Sequence, residues 1–288
     1  MFELLARDNG RVHVCGDGGH PMVAPENTLI GLTAAREHGG TAAVVDALLT
    51  ADGEIVLMRD DFLDRTTDGT GLVSRTALDT VRALDAGAWF NQRFEGEPVP
   101  TLAEALAHAR AIGLGLVVEI RETRETDRLV ARLAGILAGT DLADHAVFAG
   151  ADHVALRALK TRLPAVRTEG LLAARHADPV GVARAARLDA VSVGHLMFRP
   201  EDGAALHAAG IAVRLRLQRP EDYARHARAG IDLLAGVRDW VGGGAVDSVS
   251  GDDVGWLAAL VARSRARERR PPRPPPPPPR GPPRRRPR

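Results

Sequence analysis

Short β-rich runs alternate with helical patterns along this chain, and that order confines it to a parallel α/β architecture. "RVHVC" (11–15), "TAAVVDALLT" (41–50), "EIVLM" (54–58) and "LGLVVEI" (114–120) read as strands. So do "HAVFA" (145–149), "RTEGLLA" (167–173), "DAVSV" (189–193), "IAVRLRL" (211–217) and "IDLLAG" (231–236). Between them, "NTLIGLTAAREHG" (27–39) and "TLAEALAHARAIG" (101–113) read as helices with cap candidates at their starts and a Gly at their ends. Further helical patterns lie at 125–138, 153–162, 179–186, 201–209 and 219–229. Eight or so strand–helix units in about 260 residues is the size of a (β/α)8 TIM barrel, with a doubly wound open sheet as the alternative. Periodicity does not separate the two. No G-x-G-x-x-G follows the first strand, and "GDGG" (16–19) lacks that spacing, which counts against a dinucleotide site.

The 288 residues, 45% hydrophobic, supply ample material for such a core. A single cysteine, Cys15, rules out an intrachain disulfide and fits a reducing compartment. The start, "MFELLARDNG", has no basic segment followed by an apolar run, and no apolar stretch reaches the roughly 18 residues a membrane span needs. These features predict a soluble, cytoplasmic protein. The net charge of +1 conceals a split: from Arg263 to Arg288 eleven Arg stand against one Glu, a net +10, leaving −9 on residues 1–262. Proline removes backbone donors and fixes φ, so "RRPPRPPPPPPRGPPRRRPR" predicts a disordered or polyproline II tail over 263–288 behind a barrel domain over 1–262. Such a tail is either a solvated appendage or a docking segment for an anionic surface or a proline-recognising domain.

Several segments carry a resemblance. "APENT" (24–28), "LTADGEIVLMRDDFLDRTTDGTG" (49–71), "LDAGAWF" (84–90), "VPTLAEAL" (99–106) and "VVEIRET" (117–123) follow in order at matching spacing. Together they resemble the glycerophosphodiester phosphodiesterase family; beyond 120 only the rhythm of elements is similar. The resemblance implies a TIM barrel with a small insertion after strand 2, here about 60–98. It also implies two His acting as general acid and base on a phosphodiester, and a divalent metal, Mg2+ or Ca2+, held by carboxylates at the C-terminal ends of the strands.

Position by position, that machinery has changed. The first catalytic His falls on Asp17 and the Arg after it on Gly18; the second His falls on Arg59. The Glu-x-Asp pair of metal ligands becomes Val44-Val45-Asp46, so Asp46 and Glu119 are the residual ligands. The family's Lys two residues after that Glu becomes Arg121, a Trp-Thr-Val-Asn run becomes Leu215-Arg216-Leu217-Gln218, and a Thr-Asp pair after the last strand falls on Gly236-Val237.

An arginine cannot replace a histidine in proton transfer, because its guanidinium stays protonated. Asp17 and Arg59 therefore fail as an acid–base couple; the resemblance sets them face to face, and opposite charges predict an ion pair. Two carboxylates plus water make a weak metal site. The sequence thus predicts a catalytically degenerate phosphodiesterase-like protein of lipid and glycerophosphodiester metabolism that binds a small phosphodiester or phosphate ligand at the barrel mouth. The alternative is a slow metal-dependent phosphodiesterase, or a rewired barrel enzyme using Asp17, His20 or His195. His195 ends a predicted strand and joins Arg121 as a substrate-binding candidate. Glu26 is expected to cap the helix after it, and Cys15 to be buried rather than reactive.

Overall fold

A computed structural model of the protein describes residues 4–121, 125–138 and 140–268. After a short turn α1 (Ala6–Asn9) the order is β1 (His13–Asp17), α2 (Leu29–Glu37), β2 (Ala42–Leu49), β3 (Ile55–Leu57), α3 (Leu78–Arg82) and α4 (Leu102–Ala111). Then come β4 (Gly115–Ile120), α5 (Thr126–Leu137), β5 (Ala146–Gly150), α6 (His153–Arg162), β6 (Arg167–Leu172) and α7 (Pro179–Ala186). The chain continues through β7 (Ala190–Gly194), α8 (Pro200–Ala208), β8 (Ala212–Arg216), α9 (Pro220–Arg228), α10 (Leu234–Gly242), β9 (Ser248–Gly251) and α11 (Val254–Glu268).

Eight strands run parallel in the order β1-β9-β8-β7-β6-β5-β4-β2, and β1 also pairs with β2. That last pairing closes the sheet into a TIM barrel and removes the open-sheet alternative. β3, the strand expected at 54–58, pairs antiparallel with β2 and lies outside the closed ring.

The strands form where apolar and β-branched residues can be buried on both faces, as a parallel sheet wrapped by helices requires. All eight positions of β2 are buried. Outward residues such as Val45, Val118, Val191 and Val213 join the helices in the main core. A separate cluster of Cys15, Ala42, Val44, Val117, Val147 and Ala149 occupies the inner face of β1, β2, β4 and β5. Helix starts follow side-chain chemistry: Thr28 caps α2, Thr101 and Glu104 form a capping box on α4, and Asp152 and Asp178 cap α6 and α7. Between β3 and α4, a turn-rich segment packs around its own small core of Met58, Leu63, Val73, Val81, Ala86 and Val99.

The C-terminal part corrects two expectations. "IDLLAG" is not a strand; its second half enters α10, whose start is held by Asp232 Oδ1 accepting from the Leu234 N–H at 3.1 Å. Val237 and Val241, one turn apart and buried, set the helical period that a six-residue window hides. The last barrel strand is instead β9, only four residues long and half serine. α11 docks against β1, β9 and α10. It runs through 263–268, so it extends into the segment read as tail, and Arg265 Nη1 donates to the Gly10 carbonyl at 2.7 Å. The remaining basic, proline-rich residues, 269–288, lie outside the described residues. Among the described residues no helix is long and apolar enough to cross a membrane.

Candidate functional site

Side chains two apart on a strand share a face. Val44 and Val117 fill the barrel interior, so Asp46 and Glu119 face inward one step nearer the C-terminal mouth. The register of β2 and β4 pairs Asp46 directly with Glu119. Asp17 ends β1 on the same side as Cys15, and Arg121 follows Glu119 just past β4.

Three groups converge on Asp46, which is 3% exposed. Arg59 Nε donates to Oδ2 at 3.0 Å and Asn27 Nδ2 to the same oxygen at 3.1 Å, while Arg121 Nη1 lies 3.7 Å from Oδ1. Asn27 also accepts from the Asp46 backbone N–H at 2.9 Å, and it does so from a left-handed backbone conformation, φ 57°. Arg121 Nη1 donates to Glu119 Oε1 at 3.0 Å. Burial opposes the charge of Arg59, but the Asp46 carboxylate more than offsets it and holds its pKa above the ordinary value.

The expected pairing of Arg59 with Asp17 therefore gives way to one with Asp46. The Met58 N–H donates to the Asp46 carbonyl at 2.9 Å, which fixes the next residue, Arg59, beside β2 rather than β1. Asp17 has Arg214 as its nearest cation, 4.0 Å away, and its buried Oδ1 has no hydrogen-bond partner. Burial pushes its carboxyl up to about 6 against the pull of Arg214 and Arg59; Asp252 and Asp46 add to the rise.

Beneath Asp17 lies a second charged cluster. Arg214 of β8 donates to Glu169 of β6 through Nε at 3.0 Å and Nη2 at 2.5 Å, and to Ser250 of β9 through Nη1 at 3.1 Å. Both charged side chains are almost fully enclosed. Among the described residues no three or more His, Cys, Asp or Glu side chains converge as a metal cluster.

A comparison with known families decides the kinship: residues 18–233 match the Glycerophosphoryl diester phosphodiesterase family. The chain belongs to that family. A glycerophosphodiester phosphodiesterase of Caldanaerobacter subterraneus subsp. tengcongensis is 42% identical over 80 residues, 28% of this chain and 33% of that protein. Human glycerophosphodiester phosphodiesterase 1 is 36% identical over 120 residues, 41% of this chain and 36% of its own. The matches thus span less than half the length of these curated relatives. In structure, an Oleispira antarctica phosphodiesterase in complex with the product sn-glycerol-3-phosphate superposes with TM-score 0.74 at 24% identity, over 88% of this chain and 98% of that one. A glycerophosphodiester phosphodiesterase from Agrobacterium tumefaciens gives 0.69 at 24% identity, over 86% and 99%. At these identities the likeness is one of fold.

Within this family frame the other candidates separate from the mouth cluster. His20 is buried, with Nδ1 3.3 Å from the Asp252 carbonyl and its ring edge-on to His38; burial lowers its pKa. His195 packs edge-to-face on Tyr223, with Nδ1 3.3 Å from the Tyr hydroxyl and Nε2 buried without a partner; burial lowers its pKa too. Tyr223 belongs to the outer core and stacks on Trp256, so the contacts of His195 lie with α9 rather than with Asp46 and Glu119. Glu26 does not cap α2, a role taken by Thr28; it forms a two-pronged ion pair with Arg65, which also binds Asp60. Burial pushes the Cys15 thiol up to about 12, so it is no nucleophile.

Gly18 has its own constraint. Its φ is 76°, and a Cβ there would lie 2.9 Å from the Cβ of Glu26. The family's Arg at this position is not accommodated by the present loop.

Sequence reading missed Asn27, Glu169, Arg214 and Asp252 as site residues. The signal for Glu169 and Arg214 was a charge inside an otherwise apolar strand, which demands a partner. Asp252 directly follows β9, the true last strand, whereas Gly236 and Val237 lie within α10.

Proposed function

We propose that this family member binds a small phosphate-bearing ligand of glycerophosphodiester metabolism at its barrel mouth and has lost the hydrolysis of glycerophosphodiesters. The observation that carries this reading is Arg59. It stands where the resemblance requires a proton-transferring His, and it is held as a cation on Asp46 at 3.0 Å. Diester hydrolysis needs one group to take a proton from the attacking oxygen and another to give one to the leaving oxygen. Here one group of the pair can change charge near neutrality and the other cannot. The Oleispira relative, in complex with sn-glycerol-3-phosphate, supports a ligand of that size and charge.

A family metal fits these residues poorly. Its two remaining carboxylates already accept from guanidinium groups, and its third position is the apolar Val44. No step of the reading passes through a metal.

The test is an assay of glycerol phosphate release from glycerophosphocholine and glycerophosphoethanolamine, with Mg2+ or Ca2+ and with chelator. We expect no release above background. Robust turnover would overturn the reading. One observation favours a slow enzyme instead: the Asp17 carboxyl, pushed up to about 6, is poised for single-group proton transfer. Any turnover should then vanish in Asp17→Asn, and that loss would establish the alternative.

A further inference from the structure

A divalent ion would draw charge from carboxylates at the mouth, and this chain has spent those carboxylates on its own cations. Asp46 and Glu119 stand side by side in register, and each accepts from an arginine, Arg59 and Arg121 respectively. The two guanidinium groups are not consumed by this. Arg59 uses only Nε, and its two η nitrogens have no hydrogen-bond partner among the described residues. Arg121 uses only Nη1; its Nε and Nη2 are likewise unpartnered among the described residues. Both side chains reach the solvent, at 35% and 39% exposed, while the carboxylates that anchor them stay at 3% and 16%. Anchored from below and open above, the pair presents a fork of N–H donors upward. That is the arrangement by which arginines receive phosphate oxygens.

A third guanidinium stands across the mouth. Arg216 ends β8, opposite β4 in the ring, on the same face as Arg214, and its buried Nε has no partner.

We propose that Arg59 and Arg121, fixed by Asp46 and Glu119, are a built-in cation that takes over the anion-receiving role of a divalent metal, so that the mouth takes a phosphate monoester or diester without metal. This rests on the reading of a ligand at the mouth, and it adds how the ligand is held. The anchoring carboxylates keep the guanidinium groups in place before the ligand arrives, which lowers the ordering cost of binding.

The experiment is calorimetric titration of the full chain with sn-glycerol 3-phosphate, once in excess EDTA and once in excess Mg2+ or Ca2+. The expected Kd is the same in both. Arg59→Gln and Arg121→Gln should each weaken binding roughly tenfold to a hundredfold, the range for losing a charge-assisted hydrogen bond. Arg121→Lys should recover part of the loss, because it restores the charge without the fork. A single cooperative melting transition, even at a shifted midpoint, would certify that the variants fold. Binding only with metal overturns the proposal while leaving a ligand at the mouth. No binding under either condition overturns both. A measurement on the unaltered protein stands independently of the variants: Mn2+ added to it should keep its free-ion electron paramagnetic resonance signal, and saturable loss of that signal overturns the proposal.

Discussion

Two guanidinium–carboxylate clusters share this barrel, one sealed inside it and one open at its mouth. In the sealed cluster Arg214 and Glu169 are 2% and 3% exposed, and Nε, Nη1 and Nη2 of the arginine all have partners. In the open cluster Arg59 and Arg121 are more than a third exposed and keep most of their donors free among the described residues. The chemical groups are the same. What differs is water. Inside, desolvation makes every unmet donor costly, so the pair must satisfy itself and has nothing left for a ligand. At the mouth, water serves the spare donors until an anion replaces it. The comparison separates a cluster that fills a barrel from one that can bind.

The largest effect expected from breaking that contrast lies in the sealed pair. Arg214→Ala or Glu169→Ala strands a buried charge and should cost about 3–5 kcal/mol in chemical denaturation. Replacing both with leucine should cost far less, since no charge is then left unpaired. Single costs under about 1 kcal/mol would mean that water reaches the barrel interior, and the distinction between sealed and open would collapse.

A middle-sized effect belongs to Asp17, which lies between the clusters. Its carboxyl is moved from 3.8 to about 6, chiefly by burial, with Asp252 and Asp46 adding to the rise and Arg214 and Arg59 opposing it. The folded state therefore holds this proton more tightly than the unfolded chain does. The stabilisation is complete below 3.8 and is lost as pH rises through about 6. At 1.36 kcal/mol per unit the loss approaches about 3 kcal/mol, and a side chain a quarter exposed to water brings it to about 2. Asp17→Asn should thus match the parent near pH 4 and exceed it in stability at pH 7, measured by denaturation across that range. Parallel curves would show that the arginines on either side compensate the charge, and that the two clusters act as one.

How much of this was legible in the sequence differs between the same regions. α6 and α7 could be read to the residue because Asp152, Asp178 and Pro179 mark their starts chemically. β2 could be read because eight consecutive buried positions select apolar and β-branched residues around one Asp. β9 could not, because four residues with two serines carry no such pattern. One of those serines, Ser250, accepts from Arg214 Nη1, a reason visible only once the barrel closes. At the mouth, the replaced positions Asp17, Val44 and Arg59 were legible from ordered motifs. Their pairing was not. It depends on the backbone bond from Met58 to Asp46 and on the turn at Asn27, and neither leaves a periodic trace. Glu169 and Arg214 stand 45 residues apart, in a half where kinship shows only as rhythm.

The smallest effect tests that pairing directly. A double-mutant cycle on Asp46→Asn and Arg59→Gln removes both charges; the first change is isosteric and the second shortens a side chain already a third exposed, so packing contributes little to the coupling. Arg59 is partly in water, which screens the pair, but Asp46 is buried, which does not; coupling of about 1 kcal/mol is expected, at the upper end for exposed pairs. The matching cycle on Asp17→Asn and Arg59→Gln should give a clearly smaller coupling, because that pair is linked by the longer-range pull of Arg59 on the Asp17 carboxyl rather than by an ion pair at hydrogen-bond distance. Asn27 complicates the first cycle, since it shares Oδ2 of Asp46. Its amide can still donate to the carbonyl oxygen of an asparagine at position 46, so the bond survives the substitution and cancels around the cycle. Equal coupling in both cycles would move the centre of the open cluster from Asp46 to Asp17. Arg59 would then answer to the carboxylate that also touches Arg214, and its guanidinium would no longer be fixed over Glu119 and Arg121 as a metal substitute must be.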